Sequence, residues 1–244
     1  MRHASTSASV RSARACKSGP GESLAAAVGQ QTEIGLATRL KQVSSKMLGC
    51  RRCPALVACR SRVVPGDGAV PADVVFIGIA PGRLGGDRTG IPFSGDRSGE
   101  LLRRMVRQSG LRRVFITNLV RCNPRDERGC NRNPSRDEIA NCRTHLETEI
   151  ALVRPKAIVC LGALAWREIA GNKALFEPGR AEPAAIDGRP VYAVYHPAFV
   201  NRGAVSPLAY EREFARLAEG IARLAESSPG VPSDPDWARE GTLT

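Results

Sequence analysis

Short apolar runs alternate with longer amphipathic segments through the middle of the chain. Val74 to Ile77 is wholly apolar and ends at Gly78, and comparable runs lie within 113–118, 155–162 and 191–195. Strands buried on both faces of a parallel sheet have this composition, whereas half-exposed strands alternate apolar and polar residues. We therefore predict four strands in a mainly parallel sheet.

The amphipathic segments between these runs have the 3.6-residue period of helices. Ser135 followed by Glu138 is a capping box and marks the start of one helix. This helix is predicted to run to Val153. Apolar residues recur at spacings of 4, 3, 4 and 3 from Tyr210 to Leu224 in the last helix. Further helices are predicted over 33–46, 98–109 and 162–170. Helices between parallel strands cover both sheet faces, which predicts an α/β fold, a three-layer αβα sandwich around a central four-stranded sheet.

Four groups that could take part in binding or catalysis follow the predicted strands. They are the glycine-rich loop after Gly78, then Asn118, Gly162 and His196. In open α/β sheets, ligands bind beyond the carboxyl ends of the strands. The order of elements therefore predicts that one site combines all four groups.

Composition sets the boundaries of the domain and its class of partner. Residues 1–32 and 227–244 are predicted to be disordered tails, the first of them basic, leaving a single domain over 33–226. Lys and Arg number 36 against 24 Asp and Glu, a formal charge of +12, which favours a nucleic-acid partner over the alternatives of a solvated basic surface or a membrane surface. No apolar run is long enough to span a membrane. We expect a monomer in a bacterial cytoplasm, working at the nucleoid; the alternative for residues 1–32 is a mitochondrial targeting segment.

The loop from Gly78 to Asp96 holds six glycines and two prolines in 19 residues. It has neither a Walker lysine nor dinucleotide-loop spacing. Its residue order resembles the first motif of family 5 (type b) uracil-DNA glycosylases. The coincident residues are Gly78, Ala80, Pro81, Gly85, Gly86, Arg88, Thr89, Gly90, Phe93, Gly95 and Asp96. Gly82 and Pro92 are similar to family 4, whereas Ile79 stands where family 4 has Glu.

The resemblance implies roles for the residues of this loop. Gly78, Ala80, Pro81, Gly82, Phe93 and, after the next strand, Asn118 would line a pocket for a flipped base. Phe93 would stack on the base, and Asn118 would pair with its Watson–Crick edge. Asp96 would orient a water molecule or stabilise the positive sugar; the alternative is that it merely caps a helix. Asp87, at a position where family 5 has Asn, is the competing catalytic carboxylate.

The segment from His196 to Asn201 resembles the H-P-S-P-L-N motif of the same superfamily. His196 would donate a hydrogen bond to O2 of the departing uracil. Ala198 replaces a Ser, and Phe199 replaces a Pro; Phe199 or Val200 would be an apolar wedge in the base stack. The predicted DNA-binding residues are Arg88, Phe199, Val200, Asn201 and Arg202.

Cysteine spacing indicates a metal centre. Cys50 and Cys53 form a C-x-x-C pair, and Cys122 and Cys142 flank a segment that resembles the cluster-binding region of families 4 and 5. The resemblance implies a structural [4Fe–4S] cluster on these four residues, with zinc as the alternative. Cys130 competes as a ligand, whereas Cys59 and Cys160 are predicted to be outside the set.

These features together predict a monofunctional base-excision enzyme. It would hydrolyse the N-glycosidic bond of uracil in DNA, with hypoxanthine and other deaminated bases as further substrates. Two alternatives remain: a non-catalytic iron–sulfur protein that binds lesions or abasic sites, and a hydrolase of small nucleotides.

Overall fold

The computed structural model describes residues 24–171, 175–186 and 188–227, which form a six-stranded sheet with helices on both faces. The strands are β1 (Asp67–Gly68), β2 (Val74–Gly78), β3 (Val114–Asn118), β4 (Ala157–Leu161), β5 (Ala184–Ile186) and β6 (Arg189–Val194). Their order is β1-β3-β2-β4-β6-β5. The four predicted strands are the parallel centre, β3-β2-β4-β6. The edge strands β1 and β5 are antiparallel and were not predicted, because two or three residues are too few to form an apolar run.

Side chains on alternate positions of the central strands enter two separate cores. Val75 and Ile77 of β2 face one core, and Val74 and Phe76 face the other. The first core takes apolar residues from α1 (Leu24–Leu48), α2 (Pro54–Cys59), α5 (Arg136–Val153) and α6 (Ala163–Ala170). The second takes them from α4 (Arg97–Gln108) and α8 (Pro207–Ser227). This is the predicted three-layer αβα arrangement.

The helix boundaries correct one predicted border. The first helix begins at Leu24, so residues 24–32, which had been assigned to a disordered tail, are helical. Residues 1–23 and 228–244 lie outside the described residues, so disorder there stays a prediction. Ser135 and Glu138 form the predicted capping box at the start of α5. Two short helices, α3 (Gly86–Thr89) and α7 (Pro197–Asn201), complete the set. No helix in the described part of the chain is both long and apolar enough to cross a membrane.

Candidate active site

The carboxyl ends of the central strands meet at one edge of the sheet. Gly78 at the end of β2 is directly opposite Asn118 at the end of β3. Gly162, after β4, has φ +91°, and a Cβ atom placed on it would lie 3.2 Å from Cβ of His196, which follows β6. The four groups predicted to share a site therefore form two contacting pairs at this edge, Gly78 with Asn118 and Gly162 with His196.

Phe93 closes the space between these strand ends. A Cβ atom on Gly78 would lie 2.5 Å from Oδ1 of Asn118 and 2.6 Å from Cε2 of Phe93. The centroid of the Phe93 ring is 5.7 Å from that of His196, and the two rings are inclined by 46°. Glycine at position 78 is thus what allows the amide and the ring to lie so close to the strand end.

Asn118 is 1% exposed, and neither its Oδ1 nor its Nδ2 has a hydrogen-bond partner among the described residues. Buried polar groups are nearly always paired, and an unpaired one costs about 1–3 kcal/mol. A side chain that keeps one donor and one acceptor unpaired beside an aromatic ring is suited to a flat ligand that presents the complementary pair.

His196 is held as a neutral imidazole. Its Nδ1 accepts a hydrogen bond from the backbone N–H of Ala198 at 3.2 Å, which leaves the proton on Nε2. Burial, together with the charge of Arg202, lowers the pKa of His196 to about 4. The ring therefore presents an uncharged Nε2–H donor at neutral pH.

Asp96 has two distinct oxygens. Oδ1 caps α4 by accepting from the N–H of Gly99 at 2.8 Å. Oδ2 accepts no hydrogen bond from the described residues, and Cβ atoms on Gly82 and Gly85 would lie 3.1 Å and 2.1 Å from it. The capping alternative is thus correct for one oxygen, while the other lies against the glycine-rich loop and is available for chemistry.

Asp87 does not fit the catalytic role predicted for it. Its side chain is fully buried and forms an ion pair with Arg125 at 2.6 Å. Its Oδ1 accepts from the N–H of Ser61 at 2.9 Å. A carboxylate enclosed by these partners cannot touch a substrate, so Asp87 fixes the loop. The adjacent Arg88 is exposed and donates to the carbonyl of Gly95, in agreement with a surface role.

Two asparagines that sequence reasoning missed, Asn123 and Asn131, form hydrogen bonds that hold the glycine-rich loop in place. Asn123 is 1% exposed and its Nδ2 donates to the carbonyl of Pro81 at 2.7 Å and to Oδ1 of Asn131 at 2.9 Å. That Oδ1 also accepts from the N–H of Arg83 at 3.1 Å. Pro81 is buried and Ala80 is half-buried against the first core, so both support the pocket. The only signal in the sequence was the position of both asparagines between Cys122 and Cys142.

The predicted DNA-contacting segment divides into exposed and inward-facing residues. Phe199 is 42% exposed, and the guanidinium carbon of Arg202 lies 4.9 Å from the centre of its ring. Val200 packs against the second core, so of the two wedge candidates the exposed one is Phe199. Asn201 donates to Oγ of Ser98 at 3.2 Å and ties this segment to α4.

The four predicted cluster ligands, Cys50, Cys53, Cys122 and Cys142, line one pocket. Each of the four sulphurs has a nitrogen neighbour. These are Nε2 of His145 at 3.5 Å from Cys50, Nδ2 of Asn141 at 3.7 Å from Cys53, Nη1 of Arg60 at 3.0 Å from Cys122, and the N–H of Arg121 at 3.3 Å from Cys142. The other described cysteines, Cys59, Cys130 and Cys160, lie outside this pocket.

Burial raises the pKa of Cys53 and Cys142, and raises that of Cys122 to about 11. These groups would therefore be neutral thiols at pH 7 unless a cationic centre draws off their protons. In the described part of the chain, no three Cys, His, Asp or Glu side chains form a group that could hold a metal ion.

Comparison with known proteins agrees with this geometry. The model of the uracil DNA glycosylase superfamily matches residues 65–218. A type-5 uracil-DNA glycosylase of Pyrobaculum aerophilum is 35% identical over 191 residues, covering 64% of this chain and 81% of the relative. A type-4 uracil-DNA glycosylase of Archaeoglobus fulgidus is 34% identical over 193 residues, covering 74% and 92%. A type-4 enzyme of Thermotoga maritima is 37% identical over 164 residues, covering 66% and 82%. The predicted resemblance to family 5, with family 4 features, is therefore confirmed, and the chain belongs to the uracil DNA glycosylase superfamily.

Proposed function

We propose that this protein removes uracil from DNA by hydrolysing its N-glycosidic bond, which leaves an abasic site. The observation that carries the proposal is the buried, unpaired amide of Asn118 beside Phe93 and the neutral His196. Uracil presents an N–H next to a carbonyl on its Watson–Crick edge, and this pair is complementary to the two amide atoms. Hypoxanthine presents an equivalent pair, so we include it as a second substrate.

In this mechanism the flipped uracil stacks on Phe93. Nδ2 of Asn118 donates to O4, and Oδ1 accepts from N3–H. The bond between N1 and C1′ breaks with its electron pair moving to the base, and the charge that develops on O2 is stabilised by the Nε2–H of His196. A neutral imidazole donor needs no proton transfer to carry out this step.

The sugar acquires positive character as the bond breaks. Oδ2 of Asp96 accepts no hydrogen bond from the described residues, so its charge is available to stabilise that cation and to accept a proton from the attacking water. The oxygen of that water bonds to C1′, and one of its protons passes through Asp96 to the solvent, while the released uracil anion takes up a proton from the solvent. The outcome is a free base and an abasic sugar.

The proposed reaction ends with hydrolysis and includes no cleavage of the DNA strand by a lyase step. A lyase step needs an amine that can attack C1′. The lysines in the described residues are Lys41 and Lys46 on α1 and Lys156, which pairs with Asp73 at the amino-terminal edge of the sheet. That edge is opposite to the site, and no lysine of the described residues is among the groups found in the pocket, so we propose a monofunctional glycosylase.

DNA is held by the basic surface around the pocket. The net charge of +12 favours the phosphate backbone, and Arg88 and Arg202 are exposed near the loop and near Phe199. Phe199 is the wedge that fills the space the flipped base leaves.

The test is release of base from duplexes that contain a single uracil or hypoxanthine. We expect release by the wild-type protein, and a loss of about 100-fold or more in Asp96→Ala and in His196→Ala. Asn133→Ala is the matched control, since that side chain is exposed and makes no hydrogen bond within the described residues. Tight binding to uracil-DNA without release would refute hydrolysis and favour a lesion-binding protein. Release from free nucleosides alone would indicate a small-nucleotide hydrolase.

We further propose that Cys50, Cys53, Cys122 and Cys142 hold a [4Fe–4S] cluster. Four thiols share one pocket, and each has a nitrogen neighbour suited to a thiolate. Cys50 and Cys53 follow α1, and Cys122 and Cys142 lie on either side of Asn123 and Asn131, so a cluster held by these four residues would have a structural role and no part in bond cleavage. Iron and sulphide analysis with a visible absorption spectrum tests this; stoichiometric zinc without iron would refute it.

A further inference from the structure

Phe93, the stacking residue of the pocket, has an unusual backbone. Its φ is +50°, and it is one of three non-glycine residues with positive φ in the described part of the chain. An aromatic residue in the left-handed region is strained, and such strain persists only where the surroundings impose it. Something in the structure must therefore hold Phe93 in place.

Arg103 on α4 donates two hydrogen bonds to this part of the backbone. Its Nε donates to the carbonyl of Phe93 at 2.8 Å, and its Nη2 donates to the carbonyl of Pro92 at 2.9 Å. Gly99, one turn earlier on the same helix, lets the backbone of α4 approach closely, because a Cβ atom there would lie 2.4 Å from the carbonyl carbon of Phe93. One helix face thus holds two consecutive peptide groups.

We propose that Arg103 is a positioning residue for base binding, which acts by fixing Phe93 in its strained conformation. This inference rests on the proposed function. The planar guanidinium donates from two nitrogens in a fixed geometry that matches the adjacent carbonyls, and the single ammonium of a lysine cannot reproduce it. Because Oδ1 of Asp96 caps the same helix, α4 also sets the stacking ring and the catalytic carboxylate relative to one another.

Among the residues that the structure describes, Arg103 has one other partner, Asp67 on β1. The two charged groups are 3.7 Å apart, and their side chains are 33% and 54% exposed. Exposed pairs of this kind contribute little to stability. The two short bonds to the carbonyls are therefore the main interaction of this side chain.

Binding is measured on a duplex with one 2′-fluoro-deoxyuridine, whose glycosidic bond resists hydrolysis, and on the same duplex with thymine. The preference for the uracil analogue is expected to fall about tenfold in Arg103→Met and in Arg103→Lys. Arg104→Met is the matched control: it removes the same charge from the adjacent position of α4, where the side chain is exposed and makes no hydrogen bond or ion pair within the described residues. It should weaken binding to both duplexes equally.

A double-mutant cycle then separates positioning from a direct DNA contact. Phe93→Ala alone is expected to reduce the preference by about 10- to 100-fold. If Arg103 acts through Phe93, adding Arg103→Met to Phe93→Ala has no further effect. If the double variant loses a further tenfold in preference for the uracil analogue, the proposal is overturned. It is also overturned if Arg103→Met has the same preference as Arg104→Met. Because this readout needs no catalysis, absence of uracil release by the wild type would refute the proposed hydrolysis while the cycle still decides the role of Arg103.

Discussion

Replacing Asn118 with Leu should make the folded protein more stable and nearly inactive. Leu has a similar branched shape but carries no polar atoms. In the wild type, both amide atoms of Asn118 are buried without a hydrogen-bond partner among the described residues. The substitution removes this cost from the folded state, and it also removes the two groups that would recognise uracil.

The expected size of each effect follows from hydrogen-bond energetics. An unpaired buried polar group costs about 1–3 kcal/mol, so we expect the free energy of unfolding to rise by about 2 kcal/mol. For a domain of this size that corresponds to an increase of roughly 4–8 °C in Tm. Two lost hydrogen bonds to the base, with its own polar groups left unpaired, should lower kcat/KM by about 100-fold or more.

Asn123→Leu is the matched control, since Asn123 is also 1% exposed but its amide is fully paired. Its Oδ1 accepts from Nε of Arg125 at 2.7 Å, and its Nδ2 donates to Pro81 and Asn131. Here Leu should lower the free energy of unfolding by about 3 kcal/mol. Thermal unfolding and uracil release are measured for both variants. Destabilisation of both to the same extent, or normal activity in Asn118→Leu, would refute the reasoning.

Three further predictions concern buried charges. The folded pKa of His196 is about 4, below the ordinary value near 6.5, so the unfolded state binds a proton at higher pH than the folded state does. As pH falls from 6.5 to 4, the free energy of unfolding of the wild type should therefore fall by up to about 2–3 kcal/mol relative to His196→Gln, which is measured as Tm against pH. Burial raises the pKa of Glu213 to about 7, so the opposite sign holds: wild type should lose stability relative to Glu213→Gln as pH rises from about 4.5 to 7, and an identical pH profile would contradict this. Asp87→Ala leaves Arg125 without its ion-pair partner and should lower the free energy of unfolding by about 3 kcal/mol, whereas Asp96→Ala should lower it by about 1 kcal/mol and reduce the catalytic rate far more. The reverse pattern in denaturant unfolding and single-turnover assays would indicate that Asp87 is the catalytic carboxylate.

The sequence was sufficient wherever a local pattern controls the structure. The apolar run from Val74 to Ile77 has no polar position, is too short for a helix and ends at Gly78, which together favour a strand covered on both faces. The edge strands β1 and β5 have no such pattern, because their pairing depends on neighbours that are remote in sequence. The convergence of Gly78, Asn118 and His196 followed from strand direction alone.

The roles of the two carboxylates depended on contacts that no local pattern records. Asp87 and Asp96 both lie in the resembling motif. What distinguishes them is Arg125, which comes from a segment 38 positions away to pair with Asp87. The left-handed backbone of Phe93 could not be predicted from the sequence either, because it depends on the contact with Arg103 on the following helix.

The sheet order also determines when the protein becomes functional during synthesis. β4 pairs on one side with β2, which precedes it, and on the other with β6, which carries His196 at its end. A nascent chain that has emerged only as far as Leu161 therefore has an unpaired apolar edge and an incomplete pocket. We therefore expect a chain truncated before β6 to aggregate through that edge and to lack activity.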